Sequence, residues 1–302
     1  MALSTPQKTA HTAVARLQRG SGSTIRERAF AGLLLAATAV GVIVLAVLLV
    51  DVLIDGVGRL NWQFVSSYAS RFPEQTGVRS GITGSLSLMV LVALMSIPLG
   101  VGAALYLEEF APDNRFTRLL EANIANLAGV PSVVYGLLGV AVFAYLFEFG
   151  RSLLAGAATL TLLALPVIIV AGRESLRAVP QAIRDAGLAL GATPWQVTYR
   201  QTLPAALPGI LTGTILGLSR AIGETAPLLV VGAAFSRRAD NEPWNLLEGF
   251  TALPIQVFNF VSRPQEAFKV DAAAAGIIVL LVTLLAMNSA AIILRNRFSR
   301  RW

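Results

Sequence analysis

Two opposite charges stand four residues apart in an otherwise apolar stretch of the chain. The segment reads G-L-S-R-A-I-G-E-T-A-P, and its charged residues are Arg220 and Glu224. This spacing puts both side chains on one helical face, close enough to pair. A charge inside a membrane helix costs at least about 2.5–3.5 kcal/mol on insertion scales, so it faces the protein interior or a watery path. Two interpretations remain open, namely an internally satisfied pair that fixes helix packing and a path for an anion.

In the second interpretation Arg220 contacts the permeant anion, and Glu224 holds the guanidinium when no anion is present. The apolar run Ala205–Ala234 contains both residues. At 1.5 Å per residue, a straight helix over this run places Arg220 about 22 Å from its start, near the middle of a membrane. Pro227 follows the pair and predicts a weakened helix there, as a hinge or as a static kink.

Small residues recur at four-residue intervals in the same run. They are Gly209, Gly213 and Gly217, and this spacing lets another helix approach closely. The glycines predict a helix-packing seam that borders the charged pair. Either two subunits or helices form the pathway along this seam, or it serves ordinary packing within the chain.

Several kinds of chemistry find no support in the sequence. It contains no G-x-x-x-x-G-K-[ST] phosphate-binding loop, so we expect no ATP hydrolysis by the chain itself. There is no cysteine and one histidine, His11 in a polar tail, which leaves no thiol chemistry, no serine triad and no metal-ligand spacing. We therefore expect neither a catalytic site nor a bound metal or cofactor.

Composition indicates a polytopic membrane protein. Of 302 residues 55% are hydrophobic and 14% charged, against roughly 45–50% and about 25% in soluble domains. Six apolar runs approach or exceed the length of about 20 residues that crosses a bilayer. The predicted fold is all-α with six spans, at Ala29–Ile54, Gly81–Leu107, Ile124–Phe147, Leu153–Ala171, Ala205–Ala234 and Ala272–Leu294. We divide the chain into a basic flexible tail, residues 1–28, and a transmembrane domain, residues 29–302.

Lysine and arginine counts set the predicted orientation. With six spans both termini lie on one side, and the tails, the 2–3 loop and the 4–5 loop together hold 15 Lys and Arg residues. The three opposite loops hold 8, and the excess places both termini and the 4–5 loop in the cytoplasm. The long 5–6 loop, Phe235–Asp271, is then external. Topology also accounts for the net charge of +7.

The 4–5 loop, Arg173–Pro208, is more elaborate than a linker requires. Pro180 suits the start of a helix and Gly191 its end, while Thr193 begins a T-P-W-Q capping box. Pro204 and Pro208 are expected to close the unit. A connection between membrane helices needs no such construction, so we predict that another protein binds this loop.

The loop resembles the cytoplasmic signature E-A-A-x3-G-x9-I-x-L-P of binding-protein-dependent ABC importer permeases. The matching positions are Asp185, Ala186, Gly187, Gly191, Gln201, Leu203 and Pro204. Asp replaces Glu, Gly replaces the second Ala and Gln replaces Ile, while the spacing is intact. The resemblance implies a type I importer fold in which this loop is a coupling helix that docks on an ATP-binding subunit.

Four further segments are similar to permeases of phosphate importers. They read G-V-P-S-V-V-Y-G-L-L-G at 129–139, L-A-L-G-A-T-P-W-Q at 188–196, L-P-A-A-L-P-G-I-L-T-G at 203–213 and R-A-I-G-E-T-A-P-L-L at 220–229. The E-T-A-P-L-L sequence resembles the PstA type more than the PstC type. The resemblance implies import of inorganic phosphate across the inner membrane. It also implies a PstC-type permease partner, two PstB-type subunits that hold ATP and Mg, and an external PstS-type binding protein.

Three alternatives stay open at this point. A permease of the same kind could carry another oxyanion, such as sulfate, molybdate or phosphonate. An ion-gradient-driven secondary transporter or a membrane scaffold would share the composition but would need neither ATP nor a binding protein.

Overall fold

The computed structural model describes residues 25–233 and 245–298, and all regular secondary structure within these ranges is helical. The predicted tail, residues 1–28, lies outside the described residues up to position 24. The α-helices are α1 (Ile25–Val57), α2 (Trp62–Ser66), α3 (Arg79–Leu105), α4 (Arg115–Leu127), α5 (Ser132–Gly139), α6 (Leu153–Arg177), α7 (Gln181–Ala189), α8 (Pro194–Val197), α9 (Leu203–Gly223), α10 (Ala226–Val231), α11 (Leu253–Val261) and α12 (Ala273–Phe298).

Four π-helical turns interrupt or extend these helices in the described part of the chain. A π turn adds one residue to the hydrogen-bonded ring and often marks a functional position. The turns are Tyr106–Phe110 after α3, Val140–Leu146 after α5, Thr198–Thr202 between α8 and α9, and Ala267–Ala272 before α12.

Five helical segments are long and apolar enough to cross a membrane. They are Glu27–Val57, Arg79–Phe110, Leu153–Arg177, Pro194–Gly223 and Ala267–Arg297. A sixth candidate consists of Arg115–Leu127 and Ser132–Leu146, which meet at an angle of 107°. The predicted third span, Ile124–Phe147, is therefore wrong as one continuous helix, because its first residues belong to α4 and Pro131 stands at the break. Pro131 lacks a backbone N–H, so it cannot donate the hydrogen bond that would link it to the preceding turn of α4.

The first span differs from the others in the exposure of its side chains. Its side chains from Glu27 to Asp51 are exposed. The chain has two compact units, of which the first ends at Val52 and the second begins at Leu53.

Within residues 53–302, α6 is the central helix, and 67% of its 18-residue apolar stretch is buried. Small residues let its neighbours approach on two sides. Gly100 of α3 lies against Ile168, and Gly213 of α9 lies against Ala171. Lipid is as apolar as leucine, so membrane helices associate mainly through such close packing. Ser152 caps the start of α6 by accepting a hydrogen bond of 3.2 Å from the N–H of Ala155.

The predicted external 5–6 loop contains buried structure. Residues 234–244 lie outside the described residues, but α11 follows them and Leu253, Ile255 and Phe260 are almost fully buried. Leu253 and Phe260 share a core with Phe64 and Phe268, whereas Ile255 belongs to a second core with Leu88. The Leu253 N–H also donates to Ser85 Oγ of α3 at 2.9 Å. The apolar composition of L-P-I-Q-V-F-N-F-V explains this, because such a helix has no polar face to turn toward water.

Candidate functional site

The charged pair lies where the fifth span ends. Helix α9 stops at Gly223, and Glu224 adopts an extended conformation with ψ of 112°. Arg220 Nε is 3.5 Å from Glu224 Oε1, and the two side chains are 45% and 20% exposed. A pair this long and this open contributes little to stability. Arginine carries five N–H donors, of which the described contacts engage only the one on Nε. The geometry leaves the guanidinium able to receive an anion.

The predicted fifth span, Ala205–Ala234, is wrong as one straight helix. The continuous helical segment instead runs from Pro194 to Gly223. At 1.5 Å per residue its 30 residues extend about 45 Å, which exceeds the hydrocarbon thickness of about 30 Å. Arg220 stands three residues before the end of this segment. Counting residues along a straight helix therefore does not set its depth in the membrane.

Pro227 marks the break as the sequence predicts. After two non-helical residues the chain resumes as α10, whose first turn contains Pro227. Helix α10 packs against α5, where a Cβ on Gly136 would lie 2.8 Å from Pro227 Cα and 2.9 Å from Val230 Cβ. Two of the segments that carry the resemblance, 129–139 and 220–229, thus meet at a glycine that no larger residue could replace without movement.

Two hydrogen bonds brace this region. Tyr135 donates its hydroxyl to the carbonyl of Leu127 at 2.8 Å, which ties α5 to the end of α4 across the bend. Ser219, next to Arg220, donates to Asn288 Oδ1 at 2.6 Å and so joins α9 to α12. Sequence reasoning missed Asn288, because a single amide in an apolar run has no local partner to reveal it.

The glycine seam faces α6 of the same chain. Added Cβ atoms at Gly209, Gly213 and Gly217 would meet Ser175, Ala171 and Ile168, respectively. The structure therefore places these glycines in packing between α9 and α6. The other interpretation, in which the seam joins two subunits, has no support among these contacts.

A glycine-to-alanine change should destabilise the protein at the seam and stabilise it at a helical position with free space around it. At Gly213 the new methyl group would overlap the Cβ of Ala171, and overpacking costs about 1–3 kcal/mol. At Gly102 of α3 nothing lies within 4 Å, so alanine should gain about 0.5–1 kcal/mol of helix stability. Thermal unfolding of Gly213→Ala and Gly102→Ala in detergent measures both. Equal stabilisation by the two variants would show that α9 can move away from α6 at no cost.

The 4–5 loop forms the two short helices that its sequence predicts. Helix α7 ends in a Schellman motif, in which the N–H of Gly191 donates to Leu188 at 2.9 Å and that of Ala192 donates to Gly187 at 3.2 Å. Gly191 has φ of +82°, a conformation that glycine adopts without strain. Thr193 and Gln196 form the expected capping box at the start of α8.

The prolines at the end of this loop do not close it, contrary to prediction. Helix continues from α8 through the π turn Thr198–Thr202 into α9. Pro204 occupies the first turn of α9, and Pro208 lies inside that helix. The preceding π turn has already changed the hydrogen-bond register, so the missing N–H of Pro204 interrupts little.

The signature residues divide between the surface and the interior of the loop. Asp185 and Ala186 are exposed, and the recorded contact of Asp185 is a 3.2 Å hydrogen bond donated by Gln181 Nε2. Gly187 is buried, and a Cβ there would lie 2.8 Å from Gln201 Oε1. Two of the three departures from the family pattern therefore contact each other, because the methyl group missing at 187 leaves room for the longer side chain at 201.

The same loop also exposes large apolar side chains. Leu190 is 87% exposed and Trp195 is 63% exposed. The Trp195 ring lies 6.3 Å from that of Tyr199 and 5.9 Å from that of Phe110, centroid to centroid. Exposed aromatic and aliphatic groups together with a charged residue are typical of a protein-binding surface.

A group of six charged residues lies beneath the loop and was not predicted. This charged cluster comprises Glu108, Glu109, Glu121, Arg173, Arg177 and Arg184. Arg184 is 2.7 Å from Glu109, and Arg173 is 2.7 Å from Glu121 and 3.2 Å from Glu108. Arg177 is 3.0 Å from Glu108. The partners are more than fifty positions apart in sequence, so no local spacing reveals them.

Among the described residues, no three His, Cys, Asp or Glu side chains form a group that could hold a metal ion. The candidate membrane spans, the buried central helix and the exposed helical loop give the chain the fold of the permeases of type I ABC importers. The chain belongs to the family described as the binding-protein-dependent transport system inner membrane component, whose model matches residues 96–302. Members are membrane permease subunits rather than enzymes, and the ATPase is on separate subunits.

Relatives with known names cover most of the chain. It is 35% identical over 250 residues to the phosphate transport system permease protein PstA 1 of Mycobacterium tuberculosis, covering 81% of this chain and 78% of that protein. It is 30% identical over 249 residues to the probable ABC transporter permease protein YqgI of Bacillus subtilis, covering 80% and 85%.

Solved structures agree on the fold. A bacterial ABC transporter involved in the import of the acidic polysaccharide alginate matches with a TM-score of 0.61 at 15% identity, over 94% of this chain and 100% of that one. The MetNI methionine ABC transporter in an inward-facing conformation matches with a TM-score of 0.59 at 18% identity, over 74% and 96%.

Proposed function

We propose that this chain is one half of a channel that imports inorganic phosphate, driven by ATP hydrolysis on separate subunits. The observation that carries the proposal is the 45% exposed Arg220 at the break between α9 and α10. The 35% identity to a protein named as a phosphate transport permease supports the choice of anion. The domain that performs this function is residues 29–302.

Arg220 would compensate the charge of phosphate during passage. A planar guanidinium binds phosphate oxygens in pairs, and charge-assisted hydrogen bonds of this kind are strong. Glu224, one turn away, competes for the same donors. This competition keeps binding weak, which is necessary because a permeant ion must also leave.

We call the 4–5 loop, Arg173–Pro208, the coupling loop, because it would transmit the energy of ATP hydrolysis. Asp185 and Ala186 lie on the exposed side of α7 and would contact the ATP-binding subunit, while Gly187 and Gly191 shape the helix that presents them. The ATP site and Arg220 are on different proteins, so the coupling is mechanical. Movement of the loop would pass along the rigid helices to the break after α9.

The proposed complex contains four kinds of subunit. Beside this chain they are a PstC-type permease, a dimer of PstB-type subunits that binds ATP and Mg, and an external PstS-type phosphate-binding protein. This chain would bind neither cofactor. It would lie in the inner membrane with both termini in the cytoplasm, as the 15-to-8 distribution of basic residues indicates.

Reconstitution with these partners tests the substrate. We expect proteoliposomes to accumulate labelled phosphate only with ATP, the ATP-binding subunit and the loaded binding protein. A tenfold excess of sulfate, molybdate or phosphonate should leave the rate unchanged. Strong competition by one of these anions would instead identify it as the substrate, and uptake driven by an ion gradient without ATP would contradict the whole proposal.

A further inference from the structure

The charged cluster lies where the coupling loop meets the ends of three membrane helices. The π turn after α3 supplies Glu108 and Glu109, and α4 supplies Glu121. The end of α6 supplies Arg173 and Arg177, and α7 supplies Arg184. Three carboxylates and three guanidinium groups balance in charge. The cluster joins four helical segments, and Glu174 adds a further carboxylate at its exposed edge, 3.5 Å from Arg177.

The π turn lets two adjacent carboxylates serve different helices. Glu108 contacts the two arginines of α6, whereas Glu109 contacts Arg184 of α7. Both carboxylates are mostly buried, at 14% and 9% side-chain exposure. A π turn shifts the direction of the residues that it contains relative to the preceding helix, and such turns recur at functional positions.

Two residues of α7 face the rest of the chain, Arg184 through polar contacts and Gly187 by packing against Val197 and Gln201. Apart from Arg184 and Gly187, the residues of α7 are exposed. Beside its pair with Glu109, Arg184 donates to the carbonyl of Leu176 at 2.9 Å and to that of Val179 at 2.7 Å. Carbonyls at a helix end have no partner within the helix, so a cation there completes it. One side chain thus joins α7 to the ends of α3 and α6.

Burial makes this arrangement specific. Two buried charges lose hydration, and removing one partner leaves the other uncompensated, so an intact pair favours one geometry over its alternatives. The Arg118–Asp113 pair nearby has the same 2.7 Å separation but is 61% and 86% exposed. It supplies a matched control, because an exposed pair is hydrated and fixes little.

We propose that the charged cluster clamps α7 to the ends of α3 and α6, so that the coupling loop and these two spans move as one body. Glu109 and Arg184 are positioning residues in this device. The inference rests on the proposed function in so far as the loop receives the movement of the ATP-binding subunit. Without the clamp, α7 would move while the spans stayed in place, and ATP would be hydrolysed without transport.

The first test measures coupling in the full complex in proteoliposomes, with labelled phosphate and the loaded binding protein. For Glu109→Gln we expect the complex to assemble and hydrolyse ATP, while the number of ATP molecules hydrolysed per phosphate imported rises about tenfold. Asp113→Asn should leave this ratio unchanged. The double variant Glu109→Arg with Arg184→Glu restores an ion pair but not the hydrogen bonds to Leu176 and Val179, so it should recover only part of the coupling.

A purely structural role predicts a different result. ATP hydrolysis and uptake would then fall together with the amount of assembled complex, the ratio would stay constant, and the clamp would be disproved. If Glu109→Gln assembles poorly, Glu109→Asp retains the charge with a shorter reach and gives the same test. An unchanged ratio in that variant, with Arg184→Lys also unchanged, overturns the proposal.

A second measurement does not depend on the substrate. In the assembled complex without nucleotide, amide hydrogen exchange over residues 181–190 reports how firmly α7 is held. We expect Glu109→Gln to speed exchange there about tenfold and Asp113→Asn to leave it unchanged. Unaltered exchange in Glu109→Gln would disprove the clamp. A wild-type complex that imports no phosphate would refute the proposed substrate but leave this measurement valid.

Discussion

We expect Arg220→Ala to lower phosphate uptake by about 10- to 100-fold while the complex still assembles. The estimate follows from loss of a hydrogen bond to a charged group, about 1.5–3 kcal/mol, at 1.4 kcal/mol per tenfold. Assembly should survive because the 3.5 Å pair with Glu224 is open to solvent and holds little of the structure together. Uptake by proteoliposomes and co-purification of the partner subunits measure the two effects separately.

Two further variants define what Arg220 contributes. Arg295→Ala removes the same charge from α12, where Arg295 donates to Thr212 Oγ1 at 3.1 Å, and uptake should stay near the wild-type rate. Arg220→Lys keeps a point charge but loses the planar fork, so uptake should fall less than with alanine. Uptake by Arg220→Ala at the wild-type rate would leave only the packing interpretation of the charged pair.

Local signals in the coupling loop were sufficient to predict its two short helices, although not the role of Pro204 and Pro208. The end of α7 at Gly191 and the start of α8 at Thr193 both appear where the sequence indicates. Each is set by hydrogen bonds between residues at most five positions apart. Such bonds involve only neighbouring residues, so the local sequence is enough to predict them.

Breaks inside the membrane helices were harder to predict. Apolar length identified six spans, but it could not show that the third bends by 107° or that the fifth ends at Gly223. Pro131 stands at the first break and Pro227 follows the second. A proline can end a helix or kink it. It can also be tolerated after a π turn, as Pro204 is, and only the surrounding packing decides among these outcomes.

Contacts between distant segments were beyond reach of the sequence. The pairing of Glu109 with Arg184 joins residues 75 positions apart, and Ser219 meets Asn288 across 69. No spacing of residues in the sequence predicts either contact. The compensating pair of Gly187 and Gln201 is similar, because each looked like an unrelated departure from the family pattern until the structure brought them together.

We expect Asp185→Lys to weaken association of the permease with its ATP-binding subunit about tenfold or more. The carboxylate is exposed, and its recorded contact within the chain is the hydrogen bond from Gln181, so the permease itself should fold unchanged. Reversing a charge at an interface replaces attraction with repulsion. Co-purification and ATPase stimulated by the loaded binding protein measure the loss.

Because Asp185 is an exposed charged residue, the loss of association should depend on the salt concentration. An effect of exposed charge is screened within about 10 Å at 0.1 M salt, so part of the association should return in the variant as salt is raised to 0.5 M. Leu190→Ser removes an 87% exposed apolar side chain instead, and its effect should not depend on salt. Asp113→Lys makes the same charge reversal away from α7 and should be neutral. If Asp185→Lys retains both co-purification and transport-coupled ATPase, the coupling loop does not dock through this carboxylate.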